Sequence, residues 1–397
     1  MGLDALNFFL ADVRDGLGPY LAVYLIASQP DSHEWDEASA GAAMTIAGLV
    51  GLVAQTPAGK WIDASRHKRA LVILAAVAVT VTCVLLPWLH SFGAVVATQS
   101  LAAAAATVFP PAIAAITLGV VGSRAFTRRV GRNEGFNHLG NAVSASLAGL
   151  LALRFGAVAV FWLMGALAAS SILATLLIPA HAIDDRMARG MEHHEVGAAP
   201  NSLSQTLRAR PALAWFSVAV ALFHLANAAM LTSVGQQLAR IGGKEHATEL
   251  LSLCVVVAQV VMVPVAIVAG RAADRFGRKP VFLFGFGVLA LRGFLYPLHD
   301  SPSWLVTVQC LDGIGAGIFG VLFPVVIADL TRGTGQFNAS QGVAATAQGI
   351  GAALSASIAG IVIVNHGYGS AFIVLGIIAL VGFATFAWKV PETRCAL

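Results

Sequence analysis

Twelve stretches of this chain are apolar for about 20 residues each, and polar or basic residues stand between them. A run of that length matches a hydrocarbon core about 30 Å thick, so each stretch is long enough to cross a bilayer as a helix. The spans fall near residues 5–27, 39–58, 70–88, 93–120, 135–153 and 157–179, then near 213–235, 250–269, 280–298, 303–328, 339–364 and 370–388. They are continuously apolar and do not alternate with period two, which selects helices over a membrane barrel. With 57% hydrophobic and 11% charged residues, the chain has too little polar surface to clothe a water-soluble globule. The fold class expected is all-α: a polytopic membrane protein of twelve transmembrane helices.

The two sets of six repeat one another. Gly59-Lys60-Trp61-Ile62-Asp63-Ala64-Ser65-Arg66-His67-Lys68-Arg69 follows the second span, and Gly270-Arg271-Ala272-Ala273-Asp274-Arg275-Phe276-Gly277-Arg278-Lys279 follows the eighth, 211 positions later. The same offset lays Ser144-Ala145-Ser146-Leu147-Ala148-Gly149 on Ser355-Ala356-Ser357-Ile358-Ala359-Gly360. A register kept through loops and spans alike is an internal duplication. The chain therefore divides into a six-helix bundle over 1–180, a linker over 181–212 and a second, pseudo-symmetric six-helix bundle over 213–397. Duplicated membrane bundles are how many secondary transporters are built.

Orientation follows from the basic residues. If both termini are cytoplasmic, nineteen of the 24 Lys and Arg fall on the inside, only Arg154, Arg240 and Lys244 face out, and Arg14 and Arg292 lie within spans. The positive-inside rule demands that asymmetry, which places a multi-pass protein in the cytoplasmic (inner) membrane with the bilayer as its main partner. The net charge of +4 is thus a topology signal and gives no support to nucleic-acid binding. The first span contains Asp12, Arg14 and Asp15 and lacks a small-residue cleavage pattern, so it is expected to stay in the mature protein.

Other polar features read plainly. Glu192-His193-His194-Glu195 in the linker reads as solvated loop residues, so no metal is expected. The segment 31–37 around Trp35 is expected at the membrane interface. Cys83, Cys254 and Cys310 lie in spans, where a cysteine behaves as a small apolar residue, and Cys395 has no paired spacing. Neither HExxH, Gly-x-Ser-x-Gly nor a Walker loop occurs, and no soluble segment is large enough to catalyse a reaction. An enzyme is not expected, nor a cofactor.

The loop sequence Gly-x-x-x-Asp-x-x-(Gly or Arg)-x-Lys, present in both halves and followed by Arg69 in the first, resembles the signature loop of the major facilitator superfamily. Twelve spans, two halves, a long central loop and a closing Pro391-Glu392-Thr393 fit the same resemblance over essentially the whole chain. In the first copy Arg66 stands where the family usually has glycine. The resemblance implies that Gly59, Asp63, Arg66 and Lys68, with Gly270, Asp274, Gly277 and Arg278, form a conformational latch. Its aspartates would hold the cytoplasmic ends of the halves together while the cavity faces outward. Arg69, Arg278 and Lys279 suit headgroup anchoring. The family's fourth span usually carries a buried arginine and its fifth a Gly-Pro pair. Here those places read Gln99-Ser100-Leu101-Ala102-Ala103 and Ser144-Ala145-Ser146-Leu147-Ala148-Gly149.

Charges inside spans need a reason. Asp12 and Asp15 are three apart and share a helix face, whereas Arg14 points about 100° away from Asp15. His224 reaches a similar depth in the seventh span, and the resemblance implies that spans 1, 4, 7 and 10 line one central cavity. Asp12, Asp15, Arg14 and His224 are therefore the proton-coupling candidates. The competing reading has Arg14 neutralising an aspartate while His224 bonds a backbone carbonyl. Gln99, Asn227, Gln309, Asp312, Asn137, His138 and Asn141 are the substrate-cavity candidates, and Arg292 with Asp312 reads as a structural ion pair. The expected function is a monomeric secondary transporter that moves a small organic molecule by alternating access, as proton-coupled efflux. Proton-coupled uptake or uniport is the alternative, and a membrane-embedded sensor or enzyme the remote one.

Overall fold

The computed structural model describes residues 2–15, 21, 24–25, 35, 37–155, 159–191, 202–242 and 244–394. In the first half, α1 (Gly2–Asp15) opens the first span, followed by α2 (Glu37–Ala64) and α3 (Lys68–Val84). Then come α4 (Phe92–Ala106, resuming as 109–121), α5 (123–155) and α6 (Ala159–Leu176). The second half repeats the pattern as α7 (Pro211–Gly242), α8 (Lys244–Phe276), α9 (Arg278–Leu295), α10 (Pro302–Leu330), α11 (337–366) and α12 (368–389). No strand occurs among the described residues. The Glu192-His193-His194-Glu195 stretch and Cys395 lie outside them.

Local chemistry sets the breaks. Gly122 and Gly367 take φ of 70° and 81° between consecutive helices, a conformation that costs a side-chain-bearing residue. Within α4 the helix stops at Thr107 and restarts at Phe109. Pro110 and Pro111 have no N–H to give the preceding turn but fit a first turn, where donors go unused.

Several helices overrun their expected ends. α2 continues to Ala64, α5 starts at 123 instead of 135, and α8 spans Lys244–Phe276 instead of 250–269. A hydropathy window stops at the first charges, but a helix continues where those charges find partners. Arg129 and Arg132 in the first turns of α5 both reach Asp4 of α1, at 2.6 and 2.9 Å. The residues Gly59 to Asp63 and Gly270 to Asp274 are therefore helix-end residues, not loop residues. Trp35 also differs from expectation: it is buried, donates to the His90 carbonyl at 3.2 Å and lies against Phe92. Its ring is thus taken up by the protein instead of the membrane interface.

Each half has its own apolar core, and Phe126 and Val130 of α5 in the first half pack into the core of the second. Phe126 meets Phe337, its counterpart 211 positions on, edge to face at 6.0 Å. The segment after α6 straps the halves at this same end. Asp184 N–H donates to the Gly119 carbonyl at 3.0 Å, and Gly333 N–H donates to the Gly190 carbonyl at 2.6 Å. Most of the Lys and Arg cluster here, so it is called the basic end below. Toward the other end α2 is largely exposed: over 41–50 only Ala43 and Ala47 are buried.

Inside each half the first and fifth helices cross at a glycine. A Cβ on Gly140 would lie 2.1 Å from the Phe8 carbonyl oxygen, and one on Gly351 would lie 2.1 Å from that of Ala221. Gly140→Ala and Gly351→Ala are each expected to lower stability by about 1–3 kcal/mol through overpacking. Gly48→Ala, where nothing lies within 4 Å, should leave it unchanged. Thermal unfolding in detergent checks all three.

Candidate functional site

At the basic end the halves meet along two seams, α2 against α11 and α5 against α8. On the first seam a Cβ at Gly59 would lie 2.1 Å from the Asn338 carbonyl oxygen, and one at Gly342 would lie 2.4 Å from that of Gln55. On the second, the same construction puts Gly270 at 2.9 Å from the Thr127 carbonyl oxygen and Gly131 at 2.7 Å from that of Ala266. These four glycines pair off at the 211 offset, so the two seams are one contact made twice. Small residues let backbones approach in lipid, where apolar side chains gain little from meeting one another.

Polar groups then differentiate the seams. Asp63 accepts from Ala339 N–H at 2.7 Å, from Asn338 Nδ2 at 2.8 Å and from Asn338 N–H at 3.3 Å. Those residues open α11, so the carboxylate sits at a helix N-terminus, where free N–H groups and the helix dipole both favour an anion. Asp274, the counterpart of Asp63, instead accepts from Arg128 Nε of α5 at 3.1 Å and from Arg278 at 3.4 Å. Arg278 is buried and ties three helices: its Nε donates to Asp329 of α10 at 3.0 Å, and its other nitrogens reach Thr127 Oγ1 of α5 and the Ala273 carbonyl.

The two signature copies also differ in backbone. Gly277 has φ of 102° directly before α9, whereas no described residue other than glycine takes a positive φ. The first copy avoids that conformation by starting α3 one position later in the repeat, which lets Arg66 stand there, exposed. Lys68 is buried and reaches Asp185 of the strap at 2.5 Å and the Ser65 carbonyl at 2.9 Å, so it holds the linker and not the opposite half. Glu392 fills the space beside Gly277 and accepts from the Arg278 and Lys279 N–H groups at 2.9 and 3.0 Å. Burial opposes its ionisation. Backbone donors, led by Arg394 N–H, outweigh that and hold its carboxyl below the usual range.

A second polar group lies deep in the second half. Arg292 is 1% exposed and pairs with Asp312 of α10. It also donates to Asn227 Oδ1 of α7 at 2.7 Å and contacts Met230 Sδ. Gln309 donates to Asp312 at 3.1 Å and accepts from Tyr296 Oη at 2.5 Å. Asn227, Gln309, Asp312 and Arg292 thus belong to one network, to which sequence reading had not added Tyr296 or Met230. His224 stands beside it, with Nδ1 at 3.3 Å from the Val220 carbonyl and its ring edge-on to Phe319 at 4.6 Å.

The first-half candidates are more scattered. Asp12, Arg14 and Asn141 are half-buried, Asp15 ends α1, and Gln99 is buried with its Nε2 lacking a partner. Asn137 and His138 lie on the α5–α8 seam with two residues that sequence reading missed. Asn137 donates to Glu134 at 3.4 Å, and His138 Nδ1 lies 2.9 Å from Gln259 Oε1 of α8. The 211 offset, carried on from Gly59 and Gly270 to Gly131 and Gly342, was the sequence signal that would have found this seam.

Two homologous bundles closed at one end around a mid-membrane polar core define a membrane carrier. Consistent with that class, the family profile described as Major Facilitator Superfamily matches residues 3–243 and 241–394. An uncharacterized MFS-type transporter of Mycobacterium tuberculosis is 52% identical over 392 residues, covering 98% of this chain and 93% of that protein. A multidrug resistance protein of Schizosaccharomyces pombe is 29% identical over 128 residues, covering 30% of this chain and 23% of its own. FucP in its outward conformation superposes with a TM-score of 0.74 over 98% of this chain and 97% of that one at 15% identity, a likeness of fold. The chain belongs to the major facilitator superfamily and is a secondary transporter, not an enzyme.

Two outcomes test the geometry. Asp63→Asn removes the charge at the α11 N-terminus, and a loss of about 1.4 kcal/mol would shift the seam equilibrium about tenfold toward the open basic end. The labelling rate of a cysteine at Thr56, which faces Thr346 in the seam, reports that opening. Asp312→Ala strands a buried guanidinium and should cost about 3–5 kcal/mol, whereas Arg292→Met combined with Asp312→Ala should recover most of it. Thermal unfolding of the single and double variants reads the difference.

Proposed function

We propose that this transporter exports a small organic molecule across the cytoplasmic membrane in exchange for protons, with the basic end facing the cytoplasm. The observation that carries the mechanism is the pair of equivalent seams. Contacts repeated by pseudo-symmetry can be broken together by one rocking motion of rigid bundles, which gives alternating access to a central site. In the conformation described, α2–α11 and α5–α8 meet at the basic end, which on this reading closes the cytoplasmic route.

The orientation rests on the excess of Lys and Arg at the seam end. The export direction rests on the partial likeness to a multidrug resistance protein, together with the signature sequence in both halves. Among the substrate candidates, Asn227 and Asp312 are held by Arg292 in the closed network, and Asp12, Asp15, Arg14 and His224 supply protonatable or charged groups for coupling. The unit of function is the monomer, because one chain contains both halves of the seam.

The test is transport by purified protein in proteoliposomes, with fluorescent organic cations and radiolabelled metabolites as probes and an imposed pH gradient. Exchange predicts that probe moves against the proton flux and that the flux collapses when the gradient is dissipated. Probe movement in the same direction as protons would replace export with uptake by symport.

A further inference from the structure

The α5–α8 seam carries two titratable side chains that the transport scheme above leaves unused. Glu134 lies about 17 Å along α5 from its start, and His138 follows one turn later on the same face. The Glu134 carboxylate lies against α10 of the opposite half: a Cβ on Gly320 would be 3.4 Å from its Oε2. Its polar contact is the Asn137 amide at 3.4 Å, and no ion pair to it occurs among the described residues. His138 bonds Gln259 of the opposite half through Nδ1, and its Nε2 is buried without a partner. With Nδ1 donating to the Gln259 carbonyl oxygen, Nε2 keeps a free lone pair.

The surrounding charges are engaged elsewhere. On α5, Arg128 reaches Asp274, while Arg129 and Arg132 reach Asp4. On α10, Asp312 holds Arg292 and Asp329 holds Arg278. Asp12 of α1 lies farther from the basic end, beyond the crossing of Phe8 and Ala11 with Gly140, and His224 of α7 packs against Phe319. The α2–α11 seam has nothing comparable, since the positions equivalent to 134 and 138 are Ala345 and Gly349.

We infer that Glu134 and His138 form a proton-binding site built into one seam, so that taking up a single proton favours the state closed at the basic end. This rests on the proton-coupled reading above and locates one of its protons. The pair without the proton carries one negative charge, and no cation pairs with Glu134 across the closed seam among the described residues. One added proton makes the pair neutral, either as glutamic acid beside neutral imidazole or as carboxylate beside imidazolium, and the proton belongs to the pair. When the seam opens, Gln259 withdraws with the other half, water reaches both groups and the proton leaves toward the basic end. Acid therefore closes this end and base opens it.

Spin labels on Arg124→Cys and Arg275→Cys, in protein whose native cysteines are replaced, measure the width of the basic end by pulsed electron resonance without substrate. Between about pH 8 and about pH 5, the ratio of short to long distances should rise by up to tenfold per pH unit, the limit for one linked proton. Glu134→Gln should give the short distance at every pH, and His138→Gln should move the midpoint to lower pH. An unaltered pH response in Glu134→Gln, or a parent protein with none, overturns the site. In the second case proton-driven flux in proteoliposomes would leave the transport reading intact. A pH-dependent seam without proton-driven flux would overturn the coupling and keep the site.

Discussion

The structure depends on backbones meeting where side chains are missing. At Gly59, Gly131, Gly270 and Gly342 a carbonyl of the opposing half lies where a methyl group would have to go. Two bundles in a bilayer gain little by bringing leucines together, because lipid solvates them equally well, so close van der Waals contact between helices must hold the halves. A surface made of glycine and backbone has a second property. It interlocks few large side chains, Phe126 against Phe337 among them, so opening it breaks many weak contacts at once and leaves each bundle intact. Inside the bundles the same device serves permanence, since Gly140 and Gly351 fix crossings within one half.

Electrostatics breaks the symmetry that the duplication supplied. Asp63 and Asp274 occupy equivalent positions, yet one caps a helix with backbone and amide donors while the other meets two guanidinium groups. Arg278 is the cause: it is buried, and it draws Asp274, Asp329 and Thr127 toward one point. Glu392 then fastens the end of the chain over the start of α9. Deeper in the same half, Arg292 and Asp312 compensate each other within a low-dielectric interior, where a lone charge is not tolerated. The deep charges of the second half are thus tied down internally, whereas at the seams Asp63, Asp274 and Arg278 find partners across the divide.

Much of this was legible beforehand. Membrane class, helix content, the duplication and the Arg292–Asp312 proximity follow from hydropathy, period and depth along helices of known rise. The errors have a common origin. Reading α5 from 135 put Glu134 in a loop, and reading the signature residues as a loop hid the helix ends that carry Asp63 and Asp274. A hydropathy window ends at the first charge, whereas the helix ends where its backbone runs out of partners. Arg129 and Arg132 extend α5 because Asp4 receives them. The proton-coupling candidates in span 1 show the other gap: sequence placed Asp12 and Asp15 on one face, and depth alone does not say which neighbours that face meets.

The sequence by itself determined a twelve-span, twofold-repeated membrane protein, because apolar run length and the need to satisfy every backbone group in lipid leave no other architecture. It also determined that two aspartates would stand at equivalent positions of the repeat. Only the tertiary structure decided what each aspartate binds, that Lys68 serves the strap, and that Glu134 and His138 face the other half. Those outcomes depend on which helices lie within a few ångströms of one another. That distance is set by packing between residues hundreds of positions apart, which no local pattern encodes.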